Sequence, residues 1–240
     1  MIKKILSNEK TRVSAYDNYL LFEMSHIMTY PITKAIVDNE YFCITKHELN
    51  YLLLHTGNWK FGRALLENKA VDIRLIDVYS FKSICGNGNK ECIMALREKI
   101  TPVTELFFST SIDMGFIEAC RKGNTEVVKY ILDEKLAYAD CLYNIPIRLA
   151  CSNNRVQVLI LLLKDPKTLT AFSGPHCLNI ACMSGYLDIV KLLLGDKRID
   201  PLFNNAECLR KARYAKQQRV IDLLLSDERI SPMRDDNSYT

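Results

Sequence analysis

The sequence is short of residues that interrupt a chain: nine glycines and seven prolines stand among 240 positions. An all-β chain needs a turn about every ten residues, whereas helices joined by short loops need fewer breakers, so the composition leans towards α. Histidine is equally scarce, with His26, His47, His55 and His176 scattered through the chain, and general bases are correspondingly few. No Gly-x-Ser-x-Gly, His-Glu-x-x-His or kinase-like set occurs, so no catalytic residue is assigned and an enzyme is not expected. None of the nine cysteines has a Cys-x-x-Cys partner. Met1-Ile-Lys-Lys-Ile-Leu meets Ser7, Asn8, Glu9 and Lys10 before an apolar run develops, which argues against a secretion signal and for reduced thiols packed as small hydrophobes. The longest uncharged stretch, Thr168 to Leu187, holds Ser173-Gly174-Pro175-His176, Asn179 and Ser184-Gly185, and is not expected to enter lipid. The net charge of +4 and pI near 8.5 fall short of the dense basic footprint of a dedicated nucleic-acid binder.

What the sequence does contain is a repeat. Segments beginning at Gly57, Gly88, Gly123, Asn154, Gly185 and Lys216 lie on one another, separated by 31, 35, 31, 31 and 31 positions. Four residues after these anchors stand Phe61, Cys92, Val127, Val158, Ile189 and Val220; eight after stand Leu65, Leu96, Ile131, Leu162, Leu193 and Leu224. That is the i, i+4 stripe of a helix. Four residues before the anchors come Leu53, Ile84, Ala119, Ala150, Ala181 and Ala212, and seven before come Asn50, Phe81, Phe116, Ile147, Leu178 and Leu209. This pair marks a preceding helix, expected to be the shorter of the two, and its alanines suit close helix approach. Glycine at four anchors, with asparagine at a fifth, suits a turn of positive φ, a conformation for which Lys216 is poorly fitted. The linkers Asp196-Lys-Arg-Ile-Asp-Pro201 and Asp227-Glu-Arg-Ile-Ser-Pro232 recur 31 residues apart, proline stopping the helix before it. The four additional residues between Gly88 and Gly123 predict a lengthened loop carrying Phe107 and Phe108. A degenerate unit is read before residue 41, with Leu21 and Met24 ahead of a turn near Met28, then Pro31, Ile32, Ile36 and Val37.

These patterns resemble ankyrin repeats, above all in Phe116-Ile-Glu-Ala-Cys-Arg-Lys-Gly-Asn-Thr-Glu-Val-Val-Lys-Tyr-Ile-Leu and Leu178-Asn-Ile-Ala-Cys-Met-Ser-Gly-Tyr-Leu-Asp-Ile-Val-Lys-Leu-Leu-Leu. The resemblance covers roughly residues 41 to 232 and is strongest from 113 onward. It implies an all-α solenoid of about six to seven helix-turn-helix units with degenerate caps, divided as a capping unit over 1–40, the solenoid over 41–232 and a tail over 233–240. Only Pro146 keeps the proline of the family's Thr-Pro-Leu-His, and the Asp-x-x-Gly tip is missing, which argues against long, regular hairpin fingers. The linkers are similar to those of divergent arrays from amoebae and large DNA viruses. That likeness implies a cytoplasmic setting, the host cytoplasm for a viral protein, with the nucleus as the other compartment.

The family resemblance implies a monomeric interaction scaffold that binds another protein through a concave groove, lined by the two residues before each anchor. Here these are His55 and Thr56, Gly86 and Asn87, Arg121 and Lys122, Ser152 and Asn153, Met183 and Ser184, and Tyr214 and Ala215; Phe172 and Phe203 are candidate aromatic anchors. The basic patch Arg210, Lys211, Arg213, Lys216 and Arg219 either solvates a terminal cap or meets an acidic protein surface. A nucleic-acid backbone is the less favoured alternative, because only Tyr214 interleaves the cations. No cofactor, metal or membrane partner is expected. Cys85, Cys120, Cys151 and Cys182 share one column, where stacked repeats hold equivalent positions roughly 10 Å apart, too far to share one zinc. His176-Cys177 with Cys182 lacks a suitably spaced fourth ligand, and Gly86-Asn-Gly-Asn-Lys90 lacks the spacing of a phosphate loop. Trp59 is expected to pack in the core.

Overall fold

The computed structural model describes residues 29–38, 44–55, 59–69, 71–100, 105–165, 168 and 173–233. Among the described residues the regular elements are all helical, and no strand occurs. The helices are α1 (Tyr30–Val37), α2 (Lys46–His55), α3 (Trp59–Glu67), α4 (Val78–Gly86), α5 (Lys90–Arg97), α6 (Glu105–Lys122), α7 (Thr125–Asp133), α8 (Cys141–Ser152), α9 (Val156–Leu163), α10 (Ser173–Ser184), α11 (Leu187–Gly195), α12 (Phe203–Tyr214) and α13 (Gln218–Ser226). The chain forms two compact units, Met1–Ala119 and Cys120–Thr240. Leu21, Met24 and Met28 lie outside the described residues.

The turn at each anchor explains why the sequence repeats as it does. Gly88 takes φ +80°, Gly123 +88°, Asn154 +56°, Gly185 +75° and Lys216 +55°. At Gly88 the amide donates to Cys85 O at 3.2 Å, and the next amide, Asn89 N, donates to Ile84 O at 3.0 Å. The same two bonds recur from Asn154 to Cys151 and Arg155 to Ala150, from Gly185 to Cys182 and Tyr186 to Ala181, and from Lys216 to Arg213 and Gln217 to Ala212. This is the paired closure of a helix C-terminus, which satisfies two carbonyls left open by the helix. Lys216 therefore adopts the conformation thought unsuited to it, because both closing hydrogen bonds offset the steric cost of its Cβ.

Within the unit Cys120–Thr240 the first helices α8, α10 and α12 pack side by side, as do the second helices α7, α9, α11 and α13. Their columns face inward: Val127, Val158, Ile189 and Val220 are buried, with Ile131, Leu162, Leu193 and Leu224 one turn on. Ala150, Ala181 and Ala212 are buried opposite them. Within Met1–Ala119, α1, α3 and α5 form one row and α2 packs on α4, burying Ile36, Val37, Phe61, Leu65, Cys92 and Leu96. Each such side chain contributes roughly 1.5–3 kcal/mol on leaving water, and no hairpin could bury both its faces alone.

Four expectations are corrected. First helices are not uniformly the shorter ones: α10 spans 12 residues against 9 for α11, beginning one turn before the apolar pair that marks it. The additional residues before Gly123 lengthen a helix instead of a loop. Helix α6 runs for 18 residues, and Phe108 on it is buried with its ring edge against Phe81 at 5.6 Å between centroids. Gly115 permits this approach, since a Cβ there would stand 2.5 Å from Cys85 Sγ. Trp59 is 36% exposed at the start of α3, with the Lys60 ammonium 5.8 Å from its ring centre. It stands in the first turn of that helix, off the buried Phe61–Leu65 stripe. Gly86 is buried against Glu118, so it does not line an open surface.

The first helices α8 and α12 open on three consecutive left-handed residues, Leu142-Tyr143-Asn144 and Asn204-Asn205-Ala206. Both triplets fall at the same distance before the anchor. They turn the chain where the family's glycine-tipped hairpin would stand, and they leave Tyr143 91% exposed.

Candidate binding face

Linker arginines reach back to the ends of the preceding second helices. Arg198 donates to Leu163 O at 2.9 Å and Asp165 O at 3.1 Å, reaching back to the end of the previous repeat, while Asp196 grips the same guanidinium at 2.6 Å. Arg229 repeats the arrangement on Leu194 O at 2.9 Å and Ile199 O at 3.3 Å, braced by Asp227 at 2.6 Å. Hydrogen bonds from these arginines hold the Asp196 and Asp227 carboxyls below their ordinary range. A cation at helix-terminal carbonyls also opposes the negative end of the helix dipole. The recurring Asp-x-Arg of the two linkers was the sequence signal for this brace; reading it only as a helix stop missed the bond it makes.

The exposed side of the first-helix row in Cys120–Thr240 follows from helical spacing. Positions nine, five and two before the anchor lie on one stripe. On α8 these are Ile145, Leu149 and Ser152; on α10, His176, Ile180 and Met183; on α12, Glu207, Lys211 and Tyr214. Between α10 and α12 the stripe opens into a pocket of about 270 Å³ lined by His176, Asn179, Ile180, Met183, Phe203, Glu207 and Lys211. Its apolar contribution comes from Ile180, from Met183, which is 50% exposed, and from Phe203, 40% exposed. Its polar wall is ordered: Glu207 accepts from Asn204 Nδ2 at 3.0 Å and stands 3.9 Å from Lys211 Nζ. The Asn204 hydrogen bond, more than the neighbouring cations, holds the Glu207 carboxyl below its ordinary range.

The structure thus brings Met183, Phe203 and Lys211 of the expected residues into one place. It adds His176, Asn179, Ile180 and Glu207, which share helix faces with them but stand one or two turns earlier, where attention to the anchor's two neighbours did not reach. Tyr214 is 85% exposed further along α12, and Arg121, Lys122 and Ser184 are exposed. Ser152 and Asn153 are half-buried and engaged on their own helix: Ser152 Oγ and Asn153 Nδ2 donate to Leu149 O at 3.3 and 2.9 Å. In the other unit Asn87 is exposed, its amide donating to Ser83 Oγ at 3.1 Å. His55 ends α2, and its side chain, like Thr56 and Phe172, lies outside the described residues. Of the basic patch, Arg210 donates to Asn204 O at 2.9 Å, while Lys216 and Arg219 are exposed.

The cysteine column is packing. Cys85, Cys120, Cys151 and Cys182 are buried, and burial pushes the Cys85 and Cys120 thiols up, with Cys92 reaching about 12. Such thiols are inert at neutral pH. No group of three His, Cys, Asp or Glu among the described residues is placed to hold a metal ion, and none of the described helices is long and apolar enough to cross a membrane.

A left-handed anchor closed by two hydrogen bonds, with buried alanines before it and a branched apolar stripe after it, repeats at 31 residues through this unit. Residues 116–205 match the family model described as ankyrin repeats (3 copies). That segment carries ankyrin repeats. The matched segment begins within α6 and ends at the start of α12, so it contains α8, α10 and most of the pocket. Ankyrin repeats are in general protein-interaction modules. No curated protein matches the chain.

Proposed function

We propose that the chain is a non-catalytic adaptor that binds a partner protein on the first-helix face of Cys120–Thr240, with one apolar side chain of the partner seated between α10 and α12. The pocket carries this reading. It is concave, its apolar part is made by Ile180, Met183 and Phe203, and fixed polar groups flank it, which is the composition of an anchor site at a protein interface. At about 270 Å³ it is smaller than the clefts that enclose cofactors or drug-sized ligands. Its titratable lining is Glu207, already bound to Asn204 and facing Lys211, with a single histidine, and supplies no paired acid and base.

Capture by the immobilised full chain from a cell extract tests the reading. Met183→Lys places a charge on the apolar wall and is expected to abolish capture of specific proteins, with helical content and melting unchanged because Met183 is half exposed. Arg121→Ala with Lys122→Ala on α6 is expected to have the smaller effect. Capture indifferent to Met183→Lys would remove the pocket from the binding face.

A further inference from the structure

We propose that the partner segment is acidic: its apolar side chain fills the α10–α12 pocket and carboxylates beside it run along α12 towards the turn at Lys216. This rests on the first-helix face being the binding surface. The link between the two halves of the site is Lys211, which lines the pocket and also belongs to the basic run. Glu207, Arg210, Lys211 and Tyr214 stand at i, i+3, i+4 and i+7, one stripe of α12. Lys216 follows at the left-handed turn and Arg219 on the first turn of α13. A chain leaving the pocket along α12 therefore meets cations at successive turns.

The acids of this region are already engaged. From Phe203 to Ser226 the carboxylates are Glu207 and Asp222; Glu207 is held as described, and Asp222 accepts from Gln218 Nε2 at 2.8 Å. Lys216 and Arg219 have no ion pair among the described residues. A surface whose cations outnumber its acids next to an apolar pocket is complementary to a segment that joins carboxylates to an apolar anchor. A nucleic-acid strand fits less well. Its evenly spaced phosphates would bring charge against the ionised Glu207 in the pocket wall, and Tyr214 is the one aromatic among the cations on which a base could stack.

Selection of a displayed random peptide library on the full chain tests this without knowledge of the natural partner. Enriched peptides are expected to join a Phe, Leu, Ile or Met to two or more Asp or Glu. By fluorescence anisotropy, Met183→Lys is expected to abolish binding of such a peptide. Lys211→Glu with Arg213→Glu should weaken it by about tenfold or more, and added salt should weaken it further. Lys211→Arg should bind as the parent does. Should the charge reversal unfold the chain by circular dichroism, Lys211→Gln with Arg213→Gln carries the test, expected to weaken binding in the same direction. Enrichment without acidic bias, or binding sensitive to Met183→Lys but not to charge removal, overturns the acidic partner and leaves the binding face standing. Peptides indifferent to Met183→Lys overturn both. Failure to enrich any peptide, or displacement of the peptide by a 20-nucleotide single strand that binds more tightly, also overturns the proposal.

Discussion

The two units solve one problem with different side chains. In each, a linker must pass from one helix pair to the next while the carbonyls at the helix end need donors. In Cys120–Thr240 the donors are Arg198 and Arg229, each fixed by an aspartate two residues before it. Among the described residues of Met1–Ala119 Asp72 grips Arg74 with the same spacing at 2.5 Å, yet the donors to the carbonyls are two side-chain amides and a lysine. Asn50 donates to Leu75 O at 2.7 Å and Lys46 O at 2.9 Å while accepting from Asp77 N at 2.9 Å; Asn68 donates to Val37 O at 2.7 Å; Lys99 donates to Asn68 O and Val71 O. The difference teaches that this architecture is fixed by the backbone's need for partners and by the apolar columns, not by one set of polar residues. The family match covers 116–205, of which only residues 116–119 lie in Met1–Ala119.

The largest expected effects should be shared by both units. Leu162→Ala and Leu96→Ala each remove a buried column side chain and should destabilise by about 2–5 kcal/mol in urea titrations. A Leu96 effect near zero would break the comparison, since the column in the first unit would then not be supporting its fold.

Next come the linkers, where the units should diverge. Asn50→Ala leaves the Leu75 carbonyl and Asp77 amide buried without this partner and should cost about 2–4 kcal/mol. Arg198→Ala, at a more exposed site open to replacement by water, should cost about 1 kcal/mol. Equal losses would mean that burial does not distinguish the two solutions.

Acid tests the brace itself. The carboxyls of Asp196 and Asp227 are depressed in the folded state, chiefly by hydrogen bonds from Arg198 and Arg229. Their contribution to stability is therefore complete above the unfolded aspartate value of about 4 and is lost as pH falls through the folded values below it. Stability measured from pH 5 downward should fall, and Arg198→Ala should flatten the share belonging to Asp196. An unchanged slope in that variant would sever the aspartate from the brace.

Smallest is the gain from relieving the anchor. Lys216→Gly should stabilise by about 1 kcal/mol, because the Cβ penalty of a left-handed residue is removed while both closing hydrogen bonds stay. Asn154→Gly should gain less, asparagine being better tolerated there. A loss at Lys216 would show that its side chain contributes something the turn does not.

The repeat, the columns and the anchor turns were legible because apolar spacing and glycine speak directly to helix faces and positive φ. Asn50 shows where that reading thins: a polar residue in an apolar column looks like noise until the backbone groups it serves, 25 and 27 positions away, are placed beside it. Phe108 falls on a helix instead of the expected loop, since surplus positions say how many residues are added and not whether they lengthen a coil or a helix. For the pocket, Met183, Phe203 and Lys211 were singled out, but their convergence depends on how α10 lies against α12, which no spacing within one helix contains.

The arginine brace has a consequence for how such an array can change over evolutionary time. Among the described residues the arginines of these two linkers reach back to the repeat before them, and the anchors close their own helices, so a 31-residue length of this kind carries one donor and one acceptor for its junctions. A tandem duplication in that frame brings ready-made joints to both new boundaries, whereas an insertion of a few residues separates an arginine from its carbonyls; growth by whole modules is therefore the tolerated path.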